Sequence, residues 1–138
     1  LIKSRLFGIT DGFTINESTR QLLCIRLGKE HPHKFREACK EALHFFQDEL
    51  QRLEFRPELY AIEIIFLNLL ILITDKDRQL EKLILEFRNI VRHLKKAPAE
   101  KQILSSFKQY LLKDWELDFI LNYHFPNCTI EKLLEEIF

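Results

Sequence analysis

The chain has 138 residues, 46% of them apolar and 12% aromatic, with 12 Phe but only three Gly and four Pro. That is the length of one domain able to bury about two-thirds of its unfolded surface, and the apolar load excludes a disordered chain. Its 21 basic and 21 acidic side chains cancel, so no global field draws it to nucleic acid or an anionic membrane.

The charge is nevertheless segregated. Residues 78–113 hold nine Lys/Arg against three Asp/Glu, and residues 114–138 hold one against six. Three cysteines, Cys24, Cys39 and Cys128, are too few and too odd for a disulfide scaffold; they indicate a reducing intracellular compartment, cytoplasmic or nuclear. The pattern carries neither a signal peptide nor a spanning segment. With Leu1 first and no Met anywhere, the chain is expected to be a fragment of a larger protein.

Residues 1–15 are expected to be extended or irregular, with Asp11-Gly12 able to turn a small hairpin. A single α-helical domain is expected over 16–138. Thr14-Ile15-Asn16-Glu17 matches a capping box, and the short helix it opens should stop near Gly28. Pro32, Pro57 and Pro98 each stand where a helix can begin, because a first-turn proline forfeits no hydrogen bond. Phe35, Ala38, Cys39, Ala42, Leu43, Phe46, Leu50 and Leu53 follow at helical spacing.

Residues 59–73 carry only two polar side chains, Glu63 and Asn68. At ~1.5 Å per residue this helix falls short of the ~30 Å a bilayer core requires. Apolar all round, it must be wrapped by other helices. Glu63 is expected at the rim of the core near the helix start, where the dipole favours an anion. Asp75 is a candidate cap for the next helix, with Leu80, Leu83, Ile84, Phe87, Ile90, Val91 and Leu94 on its apolar stripe. A further stripe runs through Ile103, Leu104, Phe107, Tyr110 and Leu111. Asp114 is then positioned to cap a segment in which Trp115, Leu117, Phe119, Ile120, Leu121 and Tyr123 point to nearly every side, so it too should be covered. Pro126-Asn127 breaks the chain, and Thr129 caps a last short helix with Ile130, Leu133, Leu134 and Ile137 inward.

The connections are short, which favours antiparallel hairpins. The expected fold is all-α: a compact bundle of six or seven helices around the 59–73 helix, with a HEAT-like solenoid section as the alternative. A solenoid helix usually keeps one solvent face, and the 59–73 helix has none to offer.

The residues for chemistry are sparse. Cys24, His31, His33 and Cys39 offer C-x6-H-x-H-x5-C, unlike the tight pairs of structural zinc sites, and Cys39 lies on an apolar stripe. No metal site is assigned. Cys128, at a helix start, is the one cysteine placed where a helix N-terminus would favour a thiolate, but no orienting acid or oxyanion hole accompanies it. Three glycines cannot assemble a phosphate-binding loop. Neither catalytic residues nor a cofactor are assigned.

Two surfaces remain. Arg88, Arg92, Lys95 and Lys96 recur at one-turn intervals, with Lys101, Lys108 and Lys113 beyond. Leu134, Ile137 and Phe138 close the chain on an apolar note and either pack back or face another subunit. These seven, Arg88 to Lys96 and Leu134 to Phe138, are the candidate partner-binding residues. The expected role is a non-catalytic protein–protein interaction or dimerisation module of a larger intracellular scaffold or regulatory protein. The alternatives are a nucleic-acid-associated regulatory domain using the basic 88–113 face and a helical domain with an apolar ligand pocket beside the 59–73 helix.

Overall fold

A computed structural model describes residue 26 and residues 29–138. Among these residues it is all-helical: α1 Pro32–Arg52, α2 Pro57–Ile73, α3 Leu80–Leu94, α4 Glu100–Lys113, α5 Trp115–His124 and α6 Ile130–Ile137. The capping box at Thr14–Glu17, the stop at Gly28 and the irregular 1–15 segment lie outside the described residues.

The architecture follows from α2. Ile62, Ile65 and Leu69 have no exposed surface, and Ile64, Leu67 and Leu70 almost none. A helix so apolar has no side to leave in water, and α1, α3, α4 and α5 all pack on it. α6 closes the bundle by lying across α3 and α4. One core runs through the molecule, from Phe35, Cys39, Phe46 and Leu50 on α1 to Leu83, Phe87, Ile90, Val91 and Leu94 on α3, then Phe107 and Leu111 on α4. This is the bundle expected from the sequence rather than stacked solenoid pairs.

The α1–α2 hairpin turns on two left-handed residues, Leu53 (φ 52°) and Arg56 (φ 43°). Such a conformation costs a side-chain-bearing residue about 1–2 kcal/mol. At Arg56 the surroundings offset it: the guanidinium donates to the Tyr110 hydroxyl, lies 5.7 Å from the centre of that ring, and places Nε 3.7 Å from Glu58 Oε1. Pro57 then opens α2 at its first turn, as Pro32 opens α1. Pro98 instead sits ahead of the cap, since α4 begins at Glu100 behind Ala99. His93 on α3 ties Nε2 to the Leu50 carbonyl at 3.1 Å, satisfying a group at the end of α1.

Asp114 and Thr129 are caps, accepting from Leu117 N at 3.1 Å and Lys132 N at 3.2 Å. Asp75 is not. α3 starts behind Gln79, which makes no side-chain cap bond, and Asp75 accepts from Arg36 Nη1 at 2.9 Å instead. Asp75 lies four residues ahead of the Gln79 cap position, and its charge-assisted bond to Arg36 clips the start of α1 to the end of α2. Glu63 is not on the rim: at 2% exposure it is inside the core, because helices close on α2 from every direction. Asn68 is half-buried and returns its side-chain amide to the Ile64 carbonyl.

Candidate partner-binding surfaces

The basic stripe on α3 survives folding as a free face. Arg88, Arg92 and Lys95 are all exposed, and they line one side of a groove of about 220 Å³ with Val91 and Ile137. Val91 is buried and Ile137 half-buried, so the floor is apolar and the wall cationic. Elsewhere Arg36, Lys40, Arg52 and Arg56 lie within 4 Å of a carboxylate. Among the described residues none of the three groove cations does. The macrodipole of α3 accounts for a cation in its last turn such as Arg92, or at its cap such as Lys95. It does not account for Arg88 in the body of the helix.

The two groups of candidate residues, read as separate surfaces in the sequence, partly merge. α6 packs back on the domain through Ile130, Leu133 and Leu134, all buried. That puts Leu134 in the core and Ile137 in the groove, and leaves Phe138 45% exposed with Lys108 Nζ 4.0 Å from the ring centre. Lys108 is therefore occupied within the chain. Lys96 is exposed at the end of α3 but does not line the groove. Joining Arg88, Arg92 and Lys95 to Ile137 requires the crossing of α6 over α3, a contact between segments some 45 residues apart that no local pattern announces.

A second surface was missed. The sequence reading has α5 covered on nearly every side. The structure turns Glu116, Leu117, Ile120 and Leu121 inward and leaves Trp115, Phe119 and Tyr123 at 53%, 52% and 71% exposure. These three are spaced four apart, one helical face, and that spacing was the available signal. The Phe119 and Tyr123 rings stack at 6.4 Å and 25°. Leu112, three residues ahead of Trp115, is also exposed at 54%.

Cys39 and Cys128 are buried, and Cys24 lies outside the described residues. The helix-start position does not lower the Cys128 thiol: burial pushes it up, outweighing the opposite pull of Lys132, while Glu136 and Asp118 add to the rise. His31 and His33 are exposed. Among the described residues no three His, Cys, Asp or Glu side chains come together as a metal site. Burial, then the Arg78 charge, lower the pKa of His124. His124 borders a wide groove of about 480 Å³ with Cys128, Lys132 and Glu136. Neither groove has a lining residue from α2. Among the described residues no helix is long and apolar enough to cross a membrane.

Comparison of the chain with protein-family models, with curated proteins and with solved structures finds no match.

Proposed function

We propose that this domain is a non-catalytic protein–protein interaction module, and that its α3–α6 groove seats an acidic amphipathic segment of a protein partner. One observation carries the reading: three cations without carboxylate neighbours among the described residues flank an apolar floor of Val91 and Ile137. A helix with carboxylates on one flank and Leu or Phe on its face complements both features at once. The competing partner for the basic 88–113 face is nucleic acid. Two facts favour protein. Lys108 is already committed to Phe138, and the chain's zero net charge supplies no long-range attraction for a polyanion. Three cysteines, too few and too odd in number for a disulfide framework, suit a reducing, intracellular setting.

The test is fluorescence anisotropy with three labelled probes: an amphipathic Glu/Leu helix, the same composition scrambled to destroy its apolar face, and a single-stranded oligonucleotide. The amphipathic helix should bind at least about tenfold tighter than the other two. Equal binding of the scrambled peptide, or tighter binding of the oligonucleotide, would reject the reading.

A further inference from the structure

The aromatic face of α5 is not part of the α3–α6 groove, and it has a chemistry of its own. Trp115, Phe119 and Tyr123 put more than half of each side chain in water. Aromatics left out in this way concentrate at interface cores, where they bury large area at little conformational cost. Around them the charge is polarised along the helix. Asp114 and Asp118 lie at the amino-terminal end, where Asp118 accepts from Ile130 N and Lys113 is the nearest cation in sequence. At the carboxyl-terminal end stands Arg78, its Nη1 3.4 Å from His124 Nδ1. Arg78 makes no carboxylate contact among the described residues. The helix dipole runs the same length in the opposite sense.

We infer that this face docks a second copy of the same chain, with the two α5 helices antiparallel about a two-fold axis at Phe119. In that arrangement Phe119 meets the partner's Phe119, and Trp115 meets the partner's Tyr123, since the two positions lie roughly 12 Å apart along a helix on either side of the centre. The acidic start of each helix faces Arg78 at the end of the other, and the two dipoles oppose. Each of these pairings is reciprocal, as an isologous interface demands. The chain's net charge of zero means that no overall repulsion resists association of two copies. Burying the stripe also covers three aromatic side chains that folding leaves more than half exposed.

The test is the solution mass of the full chain by light scattering over a hundredfold concentration range. The wild type should move from monomer toward dimer. Phe119→Asp should raise the dissociation constant roughly thirtyfold or more while leaving the circular dichroism spectrum unchanged. A short bis-maleimide then reads the register in a Cys24→Ser background. Phe119→Cys should cross-link to itself, whereas Trp115→Cys should cross-link efficiently only when mixed with Tyr123→Cys. A wild type that stays monomeric throughout, a Phe119→Asp variant that still dimerises, or cross-linking indifferent to position would overturn the inference. None of these results bears on the peptide titration, which reads Arg88, Arg92 and Lys95.

Discussion

Truncating four consecutive residues of α2 to alanine, one at a time, should cost stability at every step. Ile64, Ile65, Phe66 and Leu67 are 1%, 0%, 5% and 1% exposed. Successive residues of a helix point about 100° apart, so these four sample all sides of α2. Each Ile or Leu loses three carbons, at roughly 0.8 kcal/mol per methylene equivalent in transfer free energy, and Phe66 loses its ring; with the cavity left behind the total comes to about 2–5 kcal/mol. Against a total stability of about 5–15 kcal/mol this is a large fraction. Urea denaturation should show each midpoint falling by roughly 1–2 M at an ordinary slope. Far-ultraviolet circular dichroism is the better probe, because Trp115 is 53% exposed already and its emission changes little on unfolding. The same scan at Leu83, Ile84, Leu85 and Glu86 on α3 should be periodic, with Leu85, 56% exposed, nearly silent. Any α2 position costing under about 1 kcal/mol would mean that one side of α2 faces water, and the wrapped-helix argument would fail.

Other consequences concern single groups. Asp114→Ala and Thr129→Ala should each destabilise by about 0.5–2 kcal/mol, and Asp114→Asn by much less, because the cap needs only a side-chain oxygen; equal losses from Ala and Asn would argue against capping. The hydrogen bond from Arg36 holds the Asp75 carboxyl below its ordinary value. A depressed folded pKa means that the pair stabilises fully above the unfolded value near ~3.9 and is lost as pH falls through the folded one. The difference in Tm between the wild type and Arg36→Ala should therefore be flat from neutral pH to about 5 and vanish in stronger acid; a difference that persists there would place the effect in packing. With its thiol buried and pushed up, Cys128 should react with maleimide at pH 8 at least about tenfold more slowly in the folded chain than in urea. Equal rates would show that the segment around Pro126 opens freely.

Much of the fold was legible because the relevant signals are local. An apolar run without periodicity identified α2, and 3.6-residue stripes identified α1, α3, α4 and α6. Asp114 and Thr129 announced their helices through side chains three residues from their targets. The misreadings share the opposite property. Asp75 bonds instead to Arg36, 39 residues away. Glu63 was placed on a rim that disappears once helices close on α2 from all directions. Cys128 is a different case: its helix-start position was readable, but the burial that raises its thiol comes from the packing around it. Of the site, the cations on α3 were readable as a stripe, whereas their union with Ile137 depends on where α6 crosses. The aromatic face of α5 was visible in the spacing of Trp115, Phe119 and Tyr123, but apolar content alone does not tell which face its neighbours will cover.

The most direct test of the groove as a partner site is a charge swap. Reversing Arg88, Arg92 and Lys95 to Glu together should weaken an amphipathic Glu/Leu peptide by roughly 10- to 100-fold, since three like-charge contacts replace three attractive ones. The same variant should gain affinity for the matching Lys/Leu peptide, with the fold intact by circular dichroism. Inverted preference is the outcome the account predicts. Unchanged affinity of the triple variant for the acidic peptide would contradict it, because binding would then lie somewhere other than the α3–α6 groove.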